Sequence, residues 1–303
     1  IWFEKNFLSI PWFTPSFCCG IPFYADPQST FYSFYQLIFI LFDPIFSIKL
    51  IFFILSLFSY FGMFLLVRKF GFSKYSSLLC ASLFLFNGFF IYRSIIGHVA
   101  YLSYIFIPLY CFFLIKSYEK NLYKYNIFYL LLSSVVFANF FHSGSGPIIL
   151  IIFTSIFFVI LFYAHFQNTL KIFLNFFISL LLGFLISLSK IVSSLFLLSN
   201  FPREYPPTEF NSFLGYLKNF FLSFFLEADQ KYFNENLTSM ISFGKHEMEY
   251  SLSIVPIISL FLIVFFHKKL FKINLRNFNF FLIVAIIFLI PIYFNINFLN
   301  QYN

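Results

Sequence analysis

Ser47–Lys69, read as SIKLIFFILSLFSYFGMFLLVRK, decides the fold class, because from Leu50 to Val67 it carries no charge and no proline. Roughly 20 such residues cross a hydrocarbon core of about 30 Å as a helix. A run this long and this uniformly apolar does not suit a barrel strand, which alternates apolar and polar residues over about 10 positions. In lipid only helices and closed barrels satisfy their own backbone polar groups, so the segment predicts a transmembrane helix near 47–67.

Working outward, comparable runs lie near 75–92, 99–116, 126–141, 147–165, 172–192, 251–267 and 278–298. The expected fold is all-α, a polytopic transmembrane helical bundle of about eight spans. Composition agrees: 61% hydrophobic and 10% charged residues exclude a soluble globular chain, in which about 25% would be charged. Mean hydropathy is +0.88. The 57 Phe are read as lipid-facing filler from AT-rich codon usage, not as an aromatic ligand box. The chain opens on Ile1 and stops just past an apolar run, so it is expected to be a piece truncated at both ends. No cleavable signal sequence is visible. Adjacent Cys18 and Cys19, with Cys80 and Cys111 in apolar runs, form neither a metal set nor a disulfide framework.

The expected organisation has four parts: an extracytoplasmic loop with an interfacial helix over 1–46, six spans over 47–192, a large extracytoplasmic loop over 193–250, and two spans over 251–303. Within the first loop, Phe31–Phe42 ends at Asp43-Pro44 and is too short to span, which suits a helix lying on the membrane. The stretch before it, Ile10–Tyr35, holds four prolines, a glycine and Asp26 among aromatics.

Orientation follows from the cations. Arg68, Lys69 and Lys74, then Lys116, Lys120 and Lys124, then Lys171, then Lys268, Lys269, Lys272 and Arg276 all fall on alternate connections. The positive-inside rule makes that side cytoplasmic. The acids then sort themselves, Glu119 alone on the cationic side and Glu4, Asp26, Asp43, Glu204, Glu209, Glu227, Asp229, Glu235, Glu247 and Glu249 on the other. Chemistry that needs a carboxylate is therefore expected on the outer face. The net charge of +8 is assigned to topology and anionic lipid; nothing points to nucleic acid.

The short outer connections are polar for their length. NGFFIYRSIIGHVAY (87–101) places Arg93 and His98 there, and ANFFHSGSGP (138–147) places Asn139 and His142 before a Ser/Gly turn that opens the next helix. A helix N-terminus with a His and a nearby Arg can seat an anion. Lys190, in LISLSKIVSSLF (185–196), is costly to bury unless paired or snorkelling. Arg203 and Glu204 follow in NFPREYPP. Each residue also has a purely structural reading: Lys190 snorkelling to the interface, His98 and His142 as hydrogen-bonded interface residues, Arg93 as a headgroup contact. Their convergence on one face favours a site for a phosphate-bearing lipid with an acid/base partner. No phosphate-binding loop and no HExxH is present. HSGSGP is not a nucleophile elbow, since Ser143 occupies its first Gly position. Asn236-Leu-Thr238 is a chance-level sequon.

In order along the chain, IPWFTPSFCCGIPFYADPQSTFY, FNGFFIYRSIIGHVAYLSYIFIPL, FHSGSGP, SKIVSSLFLLSNFPREYPP and GKHEMEYSLSIVPIISL resemble the marks of YfhO-like bacterial membrane proteins, which look like members of the GT-C glycosyltransferase superfamily. The likeness covers roughly Ile10 to Leu260. It implies a multi-pass enzyme of the bacterial cytoplasmic membrane whose site opens outward and takes a polyprenyl-phosphate-linked sugar as donor. It further implies a first outer loop of interfacial helices with a catalytic carboxylate. The family's key Asp tends to stand upstream of the W-x-x-P segment, so neither Asp26 nor Glu4 can be equated with it, and a loop-capping role for Asp26 stays open beside that of base.

On this reading the transfer is inverting, to a lipid or cell-envelope polymer acceptor. Asp26, Glu247 and Glu204 are the acid/base candidates, and Arg93, His98, Lys190 and Arg203 surround the donor phosphate. His142, Asn139 and His246 contact sugar or acceptor. No metal ligands are assigned, and a divalent cation stays open as a cofactor. The rivals are a transporter or flippase of a lipid-linked precursor, with the same cations lining a path, and a non-catalytic envelope assembly factor.

Overall fold

The computed structural model describes residues 13–15, 20, 22–119, 123–167, 170–201, 213–227, 229–235, 244, 249–251 and 258. Among these the regular elements are all helical: α1 (Phe34–Leu41), α2 (Pro44–Lys69), α3 (Lys74–Leu85), α4 (Gly88–Ile96), α5 (Ile107–Ser117), α6 (Tyr123–His142), α7 (Ile149–Phe166), α8 (Ile172–Ile186), α9 (Leu188–Asn200), α10 (Phe213–Phe225) and α11 (Gln230–Glu235). Short 3-10 segments, Val99–Phe106 and Gly146–Ile148, lead into α5 and α7. Among the described residues, four segments could each cross a membrane by length and composition: Pro44–Lys69, Lys74–Ile96, Val99–Ser117 and Gly146–His165. A fifth forms if α8 and α9, bent by 70°, count as one span. The spans expected over 251–267 and 278–298 lie outside the described residues.

The chain divides into two compact units, residues 1–85 with 97–203, and 86–96 with 204–303. In the first, α2 sets the scale: its 26 residues rise about 39 Å at 1.5 Å each. Asp43 starts it by accepting the Ile45 and Phe46 amides at 3.0 and 3.3 Å, with Pro44 at the first helical position, where its missing N–H costs nothing. One face, Ser47, Ile51, Leu55, Ser59, Gly62 and Leu66, is buried. The others are apolar too and exposed, with Phe53, Leu57 and Phe61 between 41% and 61% accessible, as a lipid-facing helix requires.

Small residues bring the helices together. A Cβ on Gly62 would come within 3.2 Å of the Leu109 amide nitrogen, so α2 and α5 touch backbone to backbone. Along α8 and at its C-cap, Asn175, Ser179, Gly183 and Ser187 recur every fourth residue. Asn175 donates to the Ser117 carbonyl at 3.2 Å, Ser179 shares a 2.8 Å hydrogen bond with Ser133, and Gly183 lies against Phe137 and the Ser134 carbonyl.

The cationic connections meet at one end of this unit. Glu119, after α5, is paired with Lys69 at the end of α2 and, at 3.2 Å, with Lys116. Phe70 packs on Phe162 and Tyr163 at the end of α7, ring centroids 5.5 and 5.6 Å apart. The connections after α2 and α5 are thus brought together at this end, whereas the one over 268–276 lies outside the described residues.

Two expected helices differ. The run 172–192 is broken at Ser187, whose hydroxyl donates back to the Gly183 carbonyl at 2.8 Å, a bond that bends helices, while Lys190 beyond it is drawn to another partner. In the run 75–92, Asn87 interrupts: its side chain accepts the Phe90 amide at 2.9 Å and starts α4 afresh. A helix forms within Phe31–Phe42, α1, with Tyr35 and Ile38 buried and Leu37 and Leu41 exposed.

In the second unit, the Tyr250 ring stacks between Phe89 of α4 and Phe224 of α10, with centroids 5.5 and 5.4 Å away. Gly88 donates its amide to the Ser251 carbonyl at 2.8 Å, an approach a side chain would block.

Candidate functional site

The segment 22–33 makes its own turns. Asp26 donates its amide to the Pro22 carbonyl at 3.1 Å, Ser29 donates to the Asp26 carbonyl at 3.0 Å, and the Asp26 carboxylate accepts the Gln28 amide at 3.1 Å. That last bond is an Asx turn. Tyr24 and Phe31 are buried and meet edge to face. Tyr32 holds φ at 60°, strain of the kind that persists only where surroundings dictate it.

Lys190 of α9 fixes this segment to the bundle. Its ammonium is 1% exposed and donates to the Tyr24 carbonyl at 2.7 Å, the Asp26 carbonyl at 2.8 Å and the Ser29 hydroxyl at 2.5 Å. An ammonium has three donors, so all are used. The Tyr24 ring lies 5.3 Å from the charge, and its hydroxyl shares a 2.8 Å hydrogen bond with Ser189. Burying this cation is tolerable because oriented dipoles replace its water. Lys190, expected beside a phosphate, holds instead the carbonyls of the Asp26 loop.

The HSGSGP turn is the seat on which the loop rests. Gly144 has φ of +84° and closes α6: Ser145 donates to the Phe140 carbonyl at 3.2 Å and Gly144 to that of Phe141 at 3.4 Å, the paired bonds of a Schellman cap. A Cβ on Gly144 would come within 2.3 Å of the Gln28 carbonyl oxygen, and one on Gly146 within 2.8 Å of Pro27. Two glycines thus let the loop lie directly on the turn. The amides of Ser143, Gly144 and Ser145 are thereby spent on the last carbonyls of α6.

Of the expected site residues, Asp26, His98, His142, Asn139 and Lys190 belong to this unit. His142 Nδ1 lies 3.3 Å from the Phe31 carbonyl and its ring meets Tyr32 edge-on. His98 packs on Tyr101, whose hydroxyl accepts from Gln28 Nε2 at 3.4 Å. Asn139, one turn before the end of α6, gives its carbonyl to the Ser143 amide at 2.8 Å. Below them Ser145 donates to the Ala100 carbonyl at 3.2 Å and bonds the Ser103 hydroxyl. Tyr24, Ser29, Ser103 and Ser145 did not stand out in the sequence, where hydroxyls in apolar runs are common. Arg93 belongs to the second unit, 7% exposed and 5.2 Å from the Phe89 ring. Glu204, Glu247, Arg203, His246 and Glu4 lie outside the described residues.

What the arrangement offers chemically is a half-buried carboxylate, Asp26, on a loop whose backbone is pinned from below by Lys190 and from the side by the glycine turn, with two imidazoles on adjoining elements. Compared with family models, curated proteins and solved structures, the chain matches none.

Proposed function

We propose that this chain is a multi-pass glycosyltransferase of the bacterial cytoplasmic membrane, GT-C-like, moving a sugar from a polyprenyl-phosphate donor to a lipid or envelope-polymer acceptor on the outer face. The observation that carries this reading is the Lys190 anchor. A buried cation spent on holding a carboxylate-bearing loop at the end of an apolar bundle away from the Lys69–Glu119 cluster is the kind of pre-organisation that catalysis at a membrane surface demands. The ordered motif series quoted above supports it independently.

In the proposed step the acceptor hydroxyl attacks the anomeric carbon and gives its proton to a carboxylate, Asp26 or one of Glu204 and Glu247. The bond from that carbon to the lipid phosphate breaks, and the phosphate leaves with the electron pair, stabilised by His98 and Arg203. His142 and Asn139 orient sugar or acceptor. Lys190 acts through the loop it holds.

A second reading, a transporter of a lipid-linked precursor, is favoured by the 70° break between α8 and α9, since interrupted helices line transport sites. One experiment separates them. The chain, expressed in membrane vesicles, is given radiolabelled polyprenyl-phosphate sugars. Label passing to a new product supports the transferase; label that only changes leaflets overturns it in favour of transport.

A further inference from the structure

At the cationic end of the first unit, well away from the Asp26 loop, a cavity of about 420 Å³ is lined by Leu65, Arg68, Lys69, Phe112 and Lys116. Three of the five lining residues are cations, and the single carboxylate of Glu119 is shared between two of them. Three positive charges against one negative leave the cavity rim at a net +2. Lys69 and Lys116 are only 23% and 21% accessible, so water screens this excess less than it would at an open surface. Arg68 is exposed and spends one N–H on the Phe72 carbonyl at 2.5 Å; its planar fork has five donors.

The other wall is apolar, and it continues. Leu65 stands at the end of a row on α2, Phe53, Leu57 and Phe61 at four-residue spacing. Those three are 61%, 41% and 56% exposed on a helix apolar and long enough to cross a membrane. A cationic cup beside an apolar track along half of α2 matches an amphiphile with an anionic head, and the track has no use for a free inorganic ion.

We propose that this cavity binds the headgroup of an anionic phospholipid, with the phosphate between Arg68 and Lys116 and an acyl chain along Leu65, Phe61 and Leu57. Glu119 pairs with both lysines and limits the charge, so that the cup accepts one anionic headgroup. The site is independent of the proposed transferase reading and stands whether or not sugar is transferred.

The test is native mass spectrometry of the purified full chain in detergent, titrated with phosphatidylglycerol, with phosphatidylcholine and with inorganic phosphate. Phosphatidylglycerol should be retained in preference to phosphatidylcholine, and inorganic phosphate should neither bind nor compete. Arg68→Gln and Lys116→Gln should each weaken retention by about fivefold, the worth of one cation at a membrane surface. Lys171→Gln, the same charge change at an exposed position on another connection, should leave it unchanged. Equal losses in all three variants would mean diffuse attraction and overturn the site; competition by inorganic phosphate would overturn the lipid assignment. Should the variants fail to fold, photolabelling the unaltered chain with phosphatidylglycerol carrying a diazirine on its acyl chain decides the matter. Label on the peptides holding Leu57–Leu65 or Phe112 upholds the proposal, and label spread evenly over the spans defeats it.

Discussion

The Lys190 ammonium donates a 2.8 Å hydrogen bond to the backbone carbonyl of Asp26, 164 residues earlier in the chain. The carboxylate of the same Asp26 meanwhile closes a turn onto the Gln28 amide. The lysine therefore orders the main chain beneath a carboxylate and leaves the side chain to do something else. This division of labour explains why an ammonium is buried at a kink in an apolar helix: the kink presents it, and the loop supplies three oxygens that water would otherwise provide.

Replacing Lys190 with Met keeps the length and removes every donor, leaving two carbonyls and a hydroxyl to find other partners at about 1–3 kcal/mol each. The expected result is a loop 22–33 that is cut readily by limited proteolysis while helical circular dichroism is unchanged. If the transferase reading holds, turnover falls with it. A loop as resistant as in the unaltered protein would show that Lys190 is not its anchor.

Gly144→Ala and Gly71→Ala form a matched pair. Both glycines have positive φ, +84° and +85°, yet a Cβ at Gly71 meets nothing within 4 Å whereas one at Gly144 meets the Gln28 carbonyl at 2.3 Å. Gly71→Ala should lose only the backbone term, about 1 kcal/mol. Gly144→Ala should lose that and the seat of the loop, about 3 kcal/mol in all. Thermal midpoints in detergent compare them, and equal shifts would show that the loop does not bear on the turn.

These particulars mark how far the sequence could be read. Apolar runs and alternating cations gave the helical class, the ends of α2 to within a few residues and the grouping of Arg68, Lys69, Lys116 and Glu119, because those signals are local or periodic. HSGSGP stood out as a polar turn, but its glycines serve close approach by Pro27 and Gln28, which no spacing encodes. The partners of Lys190 lie 161–166 residues away and leave no trace in its neighbourhood. The bend at Ser187 was hidden for a different reason: a serine bonding back to the Gly183 carbonyl looks, in sequence, like any hydroxyl in an apolar run.

Gly183 supports a further prediction. A Cβ there would come within 2.5 Å of Phe137 and 2.9 Å of the Ser134 carbonyl, and backbone cannot step aside as a side chain can. Gly183→Ala should force α8 from α6 and cost about 1–3 kcal/mol as overpacking, in spite of alanine's higher helix propensity. A midpoint equal to or above that of the unaltered chain would mean the two helices are not in close contact at this level.

The Lys69–Glu119–Lys116 cluster makes stability depend on pH in a defined direction. Partial burial opposes ionisation of Glu119, but the hydrogen bonds and charges of Lys69 and Lys116 outweigh it and hold the carboxyl below its usual range. A group whose folded pKa is depressed stabilises the fold above its unfolded value, about 4.3 for Glu, and loses that contribution as pH falls through the folded value. Glu119→Gln never has it, and it leaves two lysines facing each other without a counter-charge. The unaltered chain should therefore melt higher than Glu119→Gln at neutral pH, with the gap narrowing only below pH of about 4 as the carboxylate takes up its proton. Because the pair is partly exposed, added salt should shrink the neutral-pH gap as well. A gap that stays constant into acid would show that the glutamine differs by its shape and not by its charge, and would remove the cluster as the electrostatic tie between α2 and α5.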